Sequence, residues 1–170
     1  MADYRTQTVV QPEIPAKDLT ALEYFILSQM FTMDETPDGG KLYLYADEGI
    51  QECFDVRAAD LQIAVDQSNE KDCALIRFCA AALMLNTAVG APIISLDFTG
   101  VGTGYVQIFQ DIIAHSDTVE YVTLESAHTC SKMRSDGFGG SAEIITAQDY
   151  HYVNTSEWLT NTEGEIGLTS

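Results

Sequence analysis

Between Ser126 and Gly140 the chain reads SAHTCSKMRSDGFGG, its densest run of residues able to do chemistry. His128 and Cys130 stand two apart, Lys132 and Arg134 stand two apart, and Asp136 follows. A thiol between an imidazole and an ammonium group is the setting in which a cysteine loses its proton and attacks as thiolate. Lys132 offers a point charge and Arg134 a bidentate fork, the pair of groups that holds a carboxylate or phosphate. Together these residues form a candidate site for an anionic ligand. The plainer reading is that both cations pair with nearby carboxylates and that Cys130 is buried and inert. Ser131 lacks the glycines of a nucleophile elbow.

A second run, Gly100-Val101-Gly102-Thr103-Gly104, follows the apolar IISLDF and precedes an amphipathic stretch. Strand, glycine loop and helix is the order used to cradle phosphate on a helix N-terminus, with Gly100, Gly102 and Gly104 as the anion loop. Glu125 then falls near the place of a ribose-binding acid. The spacing is GxGxG rather than GxGxxG, no lysine follows, and Asp97 and Asp111 repel phosphate. The competing reading is a tight turn that needs glycine at positive φ.

Other constellations are weaker. His115, His128 and His151 show no metal-ligand spacing, and no metal or cofactor is expected. Asp34, Glu35 and Asp38 lack the pattern of a calcium loop, and Asp47-Glu48 reads as surface charge. Tyr150, Tyr152 and Trp158 read as packing of the C-terminal segment into the core, with an interaction surface as the alternative.

These residues need elements to hold them. Residues 1–17 carry Pro12 and Pro15 and read as an extended arm with an edge strand at Thr6–Val10. Thr20 and Glu23 have capping-box spacing, and Leu22, Phe25, Ile26, Met30 and Met33 make a helical stripe. The turn signal DETPDGG precedes the strand Lys41–Ala46, with Leu42 and Leu44 on one side and Tyr43 and Tyr45 on the other. A short helix over Asp60–Gln67 and an almost wholly apolar one over Lys71–Asn86 follow; the latter suits a central element or an oligomer interface. Ile93–Phe98, the helix through Val106, Phe109, Ile112 and Ile113, and Val119–Leu124 predict one right-handed βαβ unit. The loop of about fifteen residues then leads to an antiparallel strand at Ala142–Thr146, where ordinary hairpins use two to five. Thr155 or Ser156 caps a last short helix around Trp158, before a polar tail.

The expected fold class is α+β (or α/β): a mixed sheet of four to five strands with one βαβ unit and helices packed on it. The expected core includes Leu22, Phe25, Ile26, Leu42, Leu44, Ile76, Cys79, Leu83, Ile94, Leu96, Phe109, Ile112, Val122 and Ile144.

Composition bounds the function. The 170 residues have the size and the 46% apolar content of one globular domain. Net charge is −18, from 26 acidic and 8 basic residues, and no Lys or Arg follows Arg134. Such a surface repels phosphate backbones and anionic membranes, so direct nucleic-acid binding and membrane docking are not expected. It suits a basic protein partner or simple solubility. The cysteines Cys53, Cys73, Cys79 and Cys130 form no CxxC pair, no signal peptide opens the chain, and no apolar run is long enough to span a bilayer. Reduced thiols in a cytoplasmic protein fit these features.

The run Thr129-Cys130-Ser131-Lys132-Met133-Arg134 followed by Asp136-Gly137-Phe138-Gly139-Gly140 resembles a group of uncharacterised bacterial proteins associated with plasmids and other mobile elements. The likeness extends from the first helix to about Thr146, and it implies no activity. Three readings stand. The first is a non-enzymatic binding or regulatory protein whose acidic surface meets a basic partner, with homo-oligomerisation allowed by the apolar helix. The second is an enzyme or small-molecule binder built on His128, Cys130, Lys132 and Arg134. The third is a nucleic-acid mimic that inhibits a DNA-binding protein.

Overall fold

Alternation makes the first strand. In β1 (Tyr4–Gln11) Thr8 and Val10 are buried while Gln7 and Gln11 are exposed. After the Pro12 break, β2 (Ile14–Pro15) resumes beside the same neighbour, and a 3₁₀ turn (Ala16–Asp18) leads to α1 (Ala21–Met30). Thr20 starts α1: its Oγ1 accepts from Glu23 N at 3.2 Å, while Glu23 Oε2 accepts from Thr20 N at 2.7 Å. That satisfies two otherwise orphaned donors reciprocally. The helix ends at Met30, short of the Met33 that the stripe suggested, because Thr32–Glu35 is taken as β3 by β4 (Lys41–Ala46). Gly39 and Gly40, at φ 73° and 80°, close that hairpin.

The computed structural model describes residues 2–68, 73–87, 89–100, 104–134 and 137–168. The remaining elements are β5 (Cys53–Arg57), α2 (Ala58–Asp66), α3 (Ala74–Thr87), β6 (Ile93–Asp97), α4 (Tyr105–His115), β7 (Val122–Cys130), β8 (Gly139–Ile145), β9 (Tyr150–Asn154) and α5 (Thr155–Glu165).

The fold is α+β, with a seven-stranded sheet in the order β2-β4-β1-β7-β8-β9 and β3 on the other side of β4. Every pairing in it is antiparallel. The sheet therefore exceeds the expected four to five strands, and the βαβ unit does not form. β6 pairs antiparallel with β5 in a separate two-stranded sheet, whereas β7 lies between β1 and β8. The order strand, helix, strand leaves the pairing partner open, and the N-terminal strand takes the place beside β7. The arm read as an edge is thus a central strand, with Val9 opposite both Tyr45 and Glu125.

One face of the sheet carries the core. Val10, Val122, Leu124 and Ile145 are at most 1% exposed and share a cluster with Leu22, Ile26, Ile108, Phe109 and Ile112 of α1 and α4. Burying each large side chain contributes about 1.5–3 kcal/mol. Leu75, Cys79 and Leu83 turn inward from α3, but Met84 and Leu85 are mostly exposed, so that helix buries one face rather than all. Ile144 points outward and Ile145 is fully buried in its place, while Phe25 and Ile76 pack only partly against the core.

Candidate functional site

The expected long loop of Ser126–Gly140 gives its first five and last two residues to strands. β7 runs on through Ser126, Ala127, His128 and Thr129 to Cys130, and β8 begins at Gly139, so the connection is the short segment 131–138. Polar residues can extend this way because their side chains pair across strands: Thr8 Oγ1 and Ser126 Oγ are 2.8 Å apart, and Thr6 Oγ1 and His128 Nδ1 are 3.1 Å apart. A reciprocal clamp ties the turn to the N-terminus. Asp3 N donates to Ser131 Oγ at 3.0 Å, and Ser131 N donates to Asp3 O at 2.9 Å.

The glycines after the turn are required by close approach. A Cβ on Gly137 would stand 2.6 Å from Cys130 Cβ, one on Gly140 would stand 2.8 Å from Ser126 O, and one on Gly139 would stand 3.0 Å from Thr155 Oγ1. Bare backbone here lets the turn fold over Cys130 and lets α5 start against β8.

Four of the five expected ligand residues are described. His128 and Cys130 lie on the same side of β7, two residues of rise or about 6.7 Å apart, too far for a hydrogen bond. Cys130 is 8% exposed under Gly137. Lys132 and Arg134 project from the exposed turn, and Asp136 lies outside the described residues. In the glycine loop, Gly104 is the N-cap of α4 at φ −67°, and Gly102 lies outside the described residues. The space beside Gly104 is taken by Glu52 Oε1 at 3.2 Å and Phe98 O at 3.3 Å, acceptors that would repel an anion. Gly100 follows Thr99, whose amide and hydroxyl donate to Asp97 Oδ1. His115 meets the Asp18 backbone carbonyl rather than His128, its Nε2 donating to Asp18 O at 3.0 Å.

Two adjoining concavities instead gather at the end of the sheet, sharing Gly140, Asn154 and Thr155. The first is a groove of about 360 Å³ on the outer sheet face, between the row Glu125–Ala142–Val153 and Trp158 of α5. Asn154 caps α5, its Oδ1 accepting from Glu157 N at 2.8 Å; the cap is not Thr155 or Ser156. Yet α5 buries none of its residues, and Trp158 and Leu159 are 57% and 52% exposed. Ile144, Val153, Tyr150 and Tyr152 beside it are also more than two-fifths exposed, so the aromatic segment is surface, not core. β9 is the last strand of the sheet, and no described strand pairs with its outer edge.

The second concavity, of about 270 Å³, lies between the ends of β1 and β7 and the first turn of α5. It holds Arg5, His128, Thr129, Thr155 and Ser156, with Tyr4 and Tyr152 beside them and no carboxylate among its described lining residues. Arg5 carries no sequence signal beyond its charge; only its register opposite Thr129 places it here.

On the inner face, Glu143 is 6% exposed and is held by tyrosines rather than by a cation. Tyr105 donates to its Oε2 at 2.9 Å and Tyr150 donates to Oε2 at 3.2 Å. Burial pushes the Glu143 carboxyl above the usual carboxylate range against the pull of those hydroxyls. Burial and then the Glu143 charge push Tyr150 up to about 12 and Tyr105 higher still. Glu52 is also raised, by burial and then by the charges of Asp97 and Glu143. No group of three or more metal-ligating side chains with suitable geometry occurs among the described residues, and no described helix is long and apolar enough to cross a membrane.

No family model, curated protein or solved structure matches the chain.

Proposed function

We propose that the protein is a non-enzymatic binding protein that receives a basic, apolar-faced segment of a partner protein on its β9–α5 face. The observation that carries the reading is α5 itself. An isolated helix of this length is marginal in water, yet it presents Trp158 and Leu159 outward beside exposed Ile144 and Val153. Large exposed apolar patches rimmed by polar groups mark interaction sites. Glu125 lines the groove, Glu157 stands in the first turn of α5, and residues 135–170 contain no Lys or Arg. Charge complementarity selects a cationic partner, since a second copy of this face would bring like charges together. The outer edge of β9 can also pair with an added strand.

Trp158 is the single tryptophan, so its emission reports from the groove. Titration with a synthetic peptide of alternating lysine and leucine is expected to shift that emission to the blue. The shift should weaken in 0.5 M salt, as screening shortens to roughly 4 Å, and in a Glu157→Lys/Glu163→Lys variant. A glutamate–leucine peptide should leave emission unchanged. Equal responses to both peptides, or none to either, would remove the reading, and a blue shift that grows with protein concentration alone would replace it with self-association.

A further inference from the structure

We propose that the hollow over Tyr43 and Tyr45, on the outer face of the sheet, receives the guanidinium group of an arginine carried by the partner segment. This inference deepens the basic-partner reading and takes its occupant from it. Tyr43 and Tyr45 are alternate residues of β4, so both project away from the core that Leu42 and Leu44 enter. Their rings stack, with centroids 5.5 Å apart and planes 27° apart. The hollow beside them has a volume of about 500 Å³ and is lined also by Gln7, Val9, Asp34 and Asp47. Register brings these groups to one face: Asp34 lies opposite Tyr43, and Val9 lies opposite Tyr45. The Tyr45 hydroxyl is pushed up first by the Asp34 charge, then by burial, with Asp47 adding to it. Both carboxylates therefore act on this ring. Neither forms an ion pair with a described Lys or Arg. Lys41, two positions before Tyr43, is not among the described lining residues, and its charge acts on Asp38 in the β3–β4 turn.

The rings decide which cation fits. Exposed carboxylates alone hold a cation weakly, because water and salt screen them. A stacked ring pair adds a flat π surface beside those charges. A guanidinium is planar and weakly hydrated, so it can lie on a ring while its N–H fork reaches a carboxylate. An ammonium is a compact, strongly hydrated point charge and gains less from the same surface. The hollow also connects with the Trp158 groove. Tyr45, Val9, Glu125, Ala142 and Val153 form one row across five strands, and the last three line that groove. Four strand spacings come to about 19 Å, the reach of about six extended residues. A segment with an apolar residue at Trp158 thus places an arginine about six residues away over Tyr45.

The test titrates the full chain with two peptides of equal length, one alternating arginine and leucine, the other lysine and leucine. Trp158 emission reads the groove, and the backbone amide resonances of Val9, Tyr43 and Tyr45 read the hollow. The arginine peptide is expected to bind about two- to fivefold more tightly and to give larger saturable shifts at those three amides. Tyr43→Thr/Tyr45→Thr, with its fold checked by circular dichroism, should abolish that advantage and leave the lysine peptide's affinity unchanged. Asp34→Asn/Asp47→Asn keeps both rings and should still weaken the arginine peptide about twofold or more. Equal affinities for the two peptides, amides that do not respond, or an arginine preference that survives both double variants would overturn this inference while the Trp158 response stands. Arginine-selective shifts at Tyr43 and Tyr45 with no change at Trp158 would instead remove the groove and keep this site. Silence at both would remove both.

Discussion

Replacing Tyr105 with Phe removes the shorter of the two hydroxyl contacts to Glu143 and leaves a nearly buried carboxylate with Tyr150 alone at 3.2 Å. A hydrogen bond to a charged group contributes about 1.5–3 kcal/mol, and a neutral one about 0.5–1.5. Tyr105→Phe should therefore cost about 1.5–3 kcal/mol at pH 7, or roughly 3–12 °C in Tm for a chain of this size. In a Glu143→Gln background the same change should cost only about 1 kcal/mol, because no charge is stranded. The four proteins of that cycle can be unfolded in urea and followed by far-ultraviolet circular dichroism, with the coupling between the sites expected at about 1 kcal/mol or more. Equal costs in the two backgrounds would refute the claim that the hydroxyl serves a buried charge. The pH dependence carries a definite sign. Glu143 is raised on folding, so above the usual carboxylate value the native state keeps a proton that the unfolded chain has released. Stability falls as pH rises from that value through the folded one, and Glu143→Gln should flatten this fall.

Gly137→Ala should destabilise by about 1–3 kcal/mol through the clash with Cys130 Cβ, measured as a drop in urea midpoint at constant slope. In native protein, iodoacetamide should label exposed Cys53 first and leave Cys130 silent until urea is added; Cys130 labelling first would restore the nucleophilic reading. The Cys53 thiol donates to Asp97 at 3.3 Å and is pushed up by that bond, so Asp97→Asn should speed its alkylation severalfold near neutral pH. Asp18 is lowered mainly by the Thr118 and Ser116 hydroxyls, so its contribution is present above the ordinary aspartate value and lost as pH falls through the lowered one. Asp18→Asn should be less stable at pH 7 and show a shallower acid limb, with an unchanged limb counting against the tie.

Periodicity made most single elements legible and said little about their partners. The Thr20–Glu23 box, the Leu42/Leu44 alternation and the Phe109–Ile112–Ile113 stripe each report local burial, and each appears where the pattern placed it. Pairing is a non-local choice, so β1 beside β7 left no trace in either segment. The polar half of the inner face misled in the same way: Ser126 and His128 read as loop because their cross-strand hydroxyl partners are more than a hundred residues away. β9 was hidden because Tyr150, His151 and Tyr152 face solvent on both sides and show no alternation. At the site, His128 was visible as a chemical type, whereas Arg5, Asn154 and Thr155 join it only through register.

The central position of β1 also sets an order of events during synthesis. Thr8 waits for Ser126, 118 residues later, which at ordinary elongation rates takes roughly 6–24 s. The first strand therefore leaves the ribosome well before one of its two neighbours exists. Only the β4 side can be covered early, and its other edge stays open until the last third of the chain emerges. Nascent chains stalled before Val122 should hold that edge unpaired and available to chaperones. An amino-terminal deletion through Gln11 would remove the strand that joins β4 to β7, splitting the sheet into two halves.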